Sequence, residues 1–222
     1  MTDTVLDKLK ILAESAKYDV SCSSSGTVRH NTAGGIGNTV GGVGICHSFT
    51  ADGRCVSLLK IMLTNHCIFD CAYCINRRTN DRPRATLSVS ELVDLTIEFY
   101  RRNYIEGLFL SSGIIRNADY TMERMVRVVK DLRTTHRFNG YIHLKSIPGC
   151  SRELVEEGGL YADRMSVNLE LPTEESLRRV APEKNFESVF APMRYIRQGM
   201  LQSLEDRRKF RHAPRFVPAG QS

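Results

Sequence analysis

The sequence predicts an α/β fold, a partial TIM-like (β/α) barrel in which parallel strands alternate with helices. Short apolar runs alternate with amphipathic stretches, and the connections between them are short, as in parallel sheets with crossover helices. Polar residues recur at the C-terminal ends of the apolar runs, which is the edge where such barrels build their sites. We therefore expect four to five parallel strands with a site at that edge.

The first part of the chain, residues 1–57, is predicted to be an N-terminal extension to this core. Residues 3–17 place Leu6, Leu9 and Leu12 at helical spacing among charged residues, which predicts one amphipathic helix. Residues 21–55 are rich in glycine and serine and follow neither period. A disordered linker, a phosphate-binding loop and an ordered lid over a site all remain open for this segment.

The second part, residues 58–222, is predicted to be the core, with its elements in alternating order. The predicted strands are 58–64, 107–113, 141–147, 164–171 and 214–222. The predicted helices are one that Ser88 and Glu91 open with a capping box, then 119–138, 151–159 and 185–209. We expect glycine to end the helix at 151–159. Because the last strand would stop at Ser222, we also expect a truncated chain.

Composition narrows the class of protein. The chain is 41% hydrophobic and 25% charged, which is ordinary for a globular protein. It has no apolar run long enough to span a membrane, and its N-terminus resembles neither a signal nor a transit peptide. We therefore predict a cytoplasmic location with no membrane partner. Seven cysteines, an odd number, argue against a disulfide framework.

Three of these cysteines form a tight group, C-x3-C-x2-C, directly after the first core strand: Cys67, Cys71 and Cys74. In a reducing compartment such a group is typical of a metal or redox site. Three thiolates can hold three corners of an iron–sulfur cubane and leave the fourth iron open for chemistry. A structural zinc site, completed by His66, is the alternative that this spacing leaves open.

The cysteine motif, with the aromatic Tyr73 before its last cysteine, resembles the radical S-adenosylmethionine (radical SAM) superfamily. The resemblance implies a six-stranded partial barrel, a [4Fe–4S] cluster on the three cysteines and S-adenosylmethionine on the fourth iron. A reductant such as flavodoxin or ferredoxin would supply one electron, and cleavage of the sulfonium would give a 5′-deoxyadenosyl radical. The non-catalytic alternative is an iron–sulfur or zinc protein that carries electrons or braces a partner.

The same resemblance implies which residues would bind S-adenosylmethionine, although it assigns no catalytic residue. One aromatic would lie near the adenine, and small or polar residues at three strand ends would bind the methionine and ribose parts. The superfamily usually has Gly-Gly-Glu after its second strand, where this chain has Ser-Ser-Gly. The implied cofactor-binding residues are Tyr73, Ser111, Ser112, Gly113, Lys145, Ser146, Asn168 and Glu170.

Four stretches of the chain resemble the radical SAM proteins assigned to DNA modification or repair: 17–26, 65–78, 143–149 and 166–172. That resemblance implies a nucleic-acid substrate, and the net charge of +6 agrees with it. A peptide or small-metabolite substrate is the alternative. The basic segment after the cysteine motif would contact phosphates through Arg77, Arg78, Arg82 and Arg84.

Overall fold

A computed structural model describes residues 4–18, 45–49, 55–218 and 220. Alternation of strands and helices begins with the second strand. The helices are α1 (Val5–Ala16), α2 (Val89–Arg101), α3 (Ala118–Thr134), α4 (Arg152–Tyr161), α5 (Glu174–Val180) and α6 (Phe186–Lys209). The strands are β1 (Ile45–Phe49), β2 (Cys55–Met62), β3 (Gly107–Ser111), β4 (Tyr141–Lys145) and β5 (Arg164–Ser166).

One five-stranded sheet carries the fold, with its strands in sequence order. Strands β2 to β5 are parallel, and their registers align Leu58 with Gly107, Gly107 with Tyr141, and Lys145 with Ser166. Strand β1 pairs antiparallel with β2 at the edge. The predicted α/β fold with a partial TIM-like barrel is confirmed, with four parallel strands; β1 was not predicted.

The two faces of the sheet differ in chemistry because successive side chains of a strand point to opposite sides. Leu59 and Ile61 of β2 belong to the main hydrophobic core, which the helices cover. On the other face Phe109 packs with Leu58 and Tyr141 in a separate small cluster. The helices therefore bury one face, and the other lines the concave side of the partial barrel.

Helix α1 is part of the main core. Its buried Leu9, Leu12 and Ala16 pack in the same cluster as the strands. Lys8 forms an ion pair with Glu91 of α2 at 2.7 Å. Strand β2 begins at Cys55, two residues before the end of the predicted N-terminal extension at residue 57. The division of the chain into an extension and a core stays a prediction.

The C-terminal strand predicted over 214–222 is wrong for residues 214–218, which form no strand. Pro214 and Pro218 lack the N–H that a strand ladder needs. The Phe216 ring instead fills a slot between α4 and α6, where a Cβ on Gly159 would overlap the ring and one on Gly199 would lie 2.6 Å from it. Residues 219, 221 and 222 lie outside the described part.

Glycine does not end α4 as predicted: the helix continues through Gly158 and Gly159 to Tyr161. The missing side chain at Gly159 admits the Phe216 ring, so packing outweighs the low helix propensity of glycine. The strand predicted over 164–171 is likewise shorter, ending at Ser166.

Most of the glycine- and serine-rich segment, residues 21–44 and 50–54, lies outside the described part, so its three interpretations stay open. Among the described helices, none is long and apolar enough to cross a bilayer.

Candidate functional site

The cysteine motif lies on a loop that leaves the carboxyl end of β2, and Asn65 fixes where the loop begins. The Asn65 side chain is buried; its Nδ2 donates to Ser15 Oγ at 3.1 Å and to the Pro83 carbonyl at 2.9 Å. Its Oδ1 accepts from the backbone N–H of Ala85 at 2.8 Å. One amide thus ties both ends of the loop to each other and to α1.

Arg84 holds the loop from inside, contrary to its predicted role of contacting phosphates. Its guanidinium donates to four backbone carbonyls, at 2.5 to 2.9 Å: those of Asn65, Asn76, Arg77 and Asn80. Because carbonyl oxygens take up its donors, Arg84 serves as a scaffold for the loop and is not presented to a phosphate group.

The three cysteines all face one cavity, and each is a free thiol. Cys67 Sγ accepts weak hydrogen bonds from the backbone N–H groups of Phe69 at 3.4 Å and Ile114 at 3.5 Å. Burial raises the pKa of the Cys71 and Cys74 thiols. These two cysteines therefore keep their protons at neutral pH until a metal displaces them.

Gly113 allows the end of β3 to approach the cysteine loop closely. A Cβ at this position would collide with the carbonyl oxygen of His66 and come within 3.3 Å of that of Thr64. The Gly113 N–H donates to the Thr64 carbonyl at 2.8 Å. A side chain here would push the second strand end away from the cysteines.

The cavity has a volume of about 270 Å³, close to the lower end of the range for small-molecule sites. It lies at the carboxyl edge of the parallel strands, where the sequence places the site. Ten of the eleven predicted site residues line it: Cys67, Cys71, Tyr73, Cys74, Ser112, Gly113, Lys145, Ser146, Asn168 and Glu170.

The eleventh predicted residue, Ser111, is buried one position before the cavity wall. Its Oγ has no hydrogen-bond partner within the described residues, and neither has Oδ1 of the buried Asn76, which lines the cavity. Buried polar atoms are normally bonded, so an orphaned acceptor in a cavity wall indicates a place for a ligand or a water.

At the cavity wall, the Lys184 ammonium contacts both the cysteine loop and the segment after β5. Lys184 Nζ lies 3.0 Å from Glu170 Oε1 and donates to Tyr73 Oη at 3.3 Å. Partial burial and the Glu170 charge raise the pKa of the Tyr73 phenol, so it stays protonated.

Sequence reasoning missed several lining residues. Lys184 follows α5, a short helix that was not predicted, and no periodic signal marks it. Ser15 and Tyr18 come from the end of α1, a helix that was predicted but was assigned no part in the site. The one sequence signal that could have pointed to Tyr18 as a lining residue is an aromatic residue just after a predicted helix.

Comparison with known proteins agrees with this geometry. The family model described as "Radical SAM superfamily" matches residues 61–203. The chain belongs to the radical SAM superfamily. No curated protein matches the chain in sequence.

Solved structures of two other proteins share the fold of this chain. The FeFe-hydrogenase maturase HydG from Carboxydothermus hydrogenoformans is 22% identical, with a TM-score of 0.53 over 62% of this chain and 32% of its own. Methylornithine synthase (PylB) is 16% identical, with a TM-score of 0.53 over 63% of this chain and 40% of its own. At these identities the likeness shows the fold, and this chain spans well under half of either protein.

Membership of the radical SAM superfamily confirms the predicted cofactors, a [4Fe–4S] cluster and S-adenosylmethionine, and supports an enzyme. The residues present fit them: three thiols open on one cavity, a glycine cradle beside them and two orphaned polar atoms. Within the described part, no three His, Cys, Asp or Glu residues are placed to hold one metal ion. A cubane does not require such convergence, because each cysteine binds a different iron.

Proposed function

We propose that this chain is the core of a radical SAM enzyme, with Cys67, Cys71 and Cys74 as ligands of a [4Fe–4S] cluster. The observation that carries the proposal is that these thiols share one cavity with predicted cofactor-binding residues from three further strand ends. When bound and reduced, the cluster supplies the electron that cleaves S-adenosylmethionine into a hydrogen-abstracting radical. A small reductant protein, such as flavodoxin or ferredoxin, is the proposed electron donor.

The chain's own residues would divide the remaining work. Asn168 and Glu170 present an amide and a carboxylate to the cavity beside Lys145, which suits a cofactor with amino, carboxylate and ribose groups. Tyr73 offers a ring face at the cavity wall for the adenine. Apolar lining residues such as Phe69 and Ile147 exclude water from the cavity, which protects a radical from side reactions.

The finer part of the proposal is that the substrate is a nucleic acid. Arg78 is exposed beside the cysteine loop, and Arg77 uses one nitrogen to bond the Ala72 carbonyl at 2.9 Å. Both leave guanidinium donors for phosphate. Arg82 is less suited, because it lies 3.8 Å from Glu14 and stacks over Tyr18. The ion pair of Arg82 and the inward placement of Arg84 favour the second candidate, a peptide or small-metabolite substrate.

The test of the proposed function is anaerobic reconstitution with iron and sulfide, followed by EPR of the reduced protein with and without S-adenosylmethionine. We expect a [4Fe–4S]⁺ signal that changes when S-adenosylmethionine is added. Cys71→Ser should lose the cluster, whereas Cys150→Ser, at a buried cysteine that does not line the cavity, should keep it. Zinc in place of iron, or a signal that ignores S-adenosylmethionine, would overturn the proposal.

A further inference from the structure

The connection between α5 and α6 packs directly on the cysteine loop. The Ala72 N–H donates to the carbonyl of Val180, the last residue of α5, at 2.6 Å. Cys71 is buried in a small cluster with Leu177 and Ala181, and this cluster is separate from the main core. The loop is therefore supported on one side by the sheet and on the other by this connection.

Lys184 extends from that connection to both walls of the cavity. Its ammonium lies 3.0 Å from Glu170 Oε1, and the two side chains are only 9% and 14% exposed. It also donates to Tyr73 Oη at 3.3 Å and lies 5.7 Å from the centre of the Tyr73 ring. The Lys184 ammonium thus links Tyr73, in the cysteine loop, to the carboxylate of Glu170, which follows β5.

Glu170 needs such support because its backbone is in the left-handed region, at φ 59°. A residue with a Cβ is strained there and keeps that conformation only when its surroundings hold it. The carboxylate of Glu170 accepts a hydrogen bond from the Lys184 ammonium and lines the cavity.

We propose that Lys184 is a positioning residue for S-adenosylmethionine binding: it sets the distance between the Glu170 carboxylate and the cysteine loop. This inference rests on the proposed function. S-adenosylmethionine must reach the open iron on one side and the strand-end polar groups on the other. The distance between the cysteine loop and the Glu170 carboxylate must therefore match the ligand. Lys184 fixes this distance before the ligand binds.

A bare stabilising role does not account for this arrangement. A buried ion pair gives little net stability, because desolvation of the two charges offsets their attraction. Lys184 also engages the Tyr73 hydroxyl, and all three side chains face the cavity. The arrangement is therefore expected to affect ligand binding more than folding.

The experiment compares Lys184→Met with Lys184→Arg and with Lys8→Met in reconstituted protein. Lys8→Met is the matched control, because it removes another partly buried Lys–Glu pair, at 2.7 Å and 21% and 27% exposed, away from the cavity. We expect Lys184→Met to keep its iron content but to weaken S-adenosylmethionine binding roughly tenfold, as loss of an outer support does. Lys184→Arg should recover much of the affinity, and Lys8→Met should bind as the wild type does.

Equal affinity in Lys184→Met and wild type would overturn the inference, and so would an equal loss in Lys8→Met. A second measurement needs no cofactor: hydrogen exchange of the peptides covering residues 67–76 in metal-free protein. Exchange should be faster in Lys184→Met and unchanged in Lys8→Met. Unchanged exchange in Lys184→Met would overturn the positioning role even if the cluster and S-adenosylmethionine bind. A wild type that binds neither would overturn the proposed function, and the inference with it.

Discussion

At the scale of single residues, close approach of backbones decides the shape of the site. Gly113 lies where the end of β3 meets the first residues of the cysteine loop, and the nearest atoms are backbone carbonyl oxygens. Backbone atoms cannot rotate away as a flexible side chain can. A methyl group at this position would therefore move a whole strand end or the loop.

We predict that Gly113→Ala lowers the free energy of unfolding by about 1–3 kcal/mol, the usual cost of overpacking, and reduces cluster content. Gly158→Ala is the matched control, because its Cβ would meet only side chains, with Leu144 Cδ2 nearest at 3.0 Å. Urea unfolding and iron analysis of both variants measure the two effects. If Gly113→Ala were as stable and as iron-loaded as Gly158→Ala, the cradle would have no role.

Arg84 shows a second residue-scale effect, in which one side chain satisfies many backbone groups. We predict that Arg84→Met destabilises the protein by on the order of 3 kcal/mol, because several carbonyls lose their donor. Arg78→Met is the control: Arg78 is exposed, and its guanidinium donates to the Ile68 carbonyl at 3.3 Å. That variant should change stability by less than about 0.5 kcal/mol. Equal effects in thermal unfolding would contradict the scaffold role.

At the scale of elements, the sequence predicted what local chemistry controls. Ser88 and Glu91 form the predicted capping box, and α2 begins there. The cysteine spacing and the polar strand ends located the cavity, because parallel strands bring their carboxyl ends to one edge.

The elements that sequence reasoning missed depend on contacts far apart in the chain. Strand β1 exists through its pairing with β2, and α5 is one of the shortest helices, with a single buried residue, Leu177. Lys184 belongs to the site only because the connection that carries it packs on the cysteine loop. No local pattern specifies such long-range placement.

The C-terminal segment after α6 gives the prediction at this scale. Phe216 is 9% exposed and fills the slot lined by Gly159 and Gly199, and the Val217 N–H donates to the Gly159 carbonyl at 3.0 Å. We predict that Phe216→Ala costs about 3 kcal/mol, because it leaves a ring-sized cavity between two helices.

Phe210→Ala is the control for Phe216→Ala, since Phe210 is 64% exposed and its loss should cost less than about 0.5 kcal/mol. Denaturant unfolding of the two variants makes the comparison. If both variants matched the wild type, the segment would not be docked in the slot.

At the scale of the whole molecule, the charge distribution bears on the substrate. Phe186, at the start of α6, packs against the small cluster that contains Cys71. Arg207 and Arg208 lie in the last turn of this helix, roughly 30 Å away at 1.5 Å per residue. The pair Arg77 and Arg78 therefore lies far from the pair Arg207 and Arg208. Of these two pairs, Arg77 and Arg78 adjoin the site.

Because the two arginine pairs lie far apart, the substrate proposal can be tested with two variants that remove equal charge from different places. The measured quantity is the dependence of DNA affinity on salt concentration. If the substrate is a nucleic acid, the double variant Arg77→Ala with Arg78→Ala should weaken binding of single-stranded DNA and reduce the slope of log affinity against log salt by about 1–2. The matched variant, Arg207→Ala with Arg208→Ala, removes the same charge from the far end and should have the smaller effect. Were the distal pair to account for the salt dependence, binding would reflect net charge alone, and a peptide or small metabolite would become the better candidate.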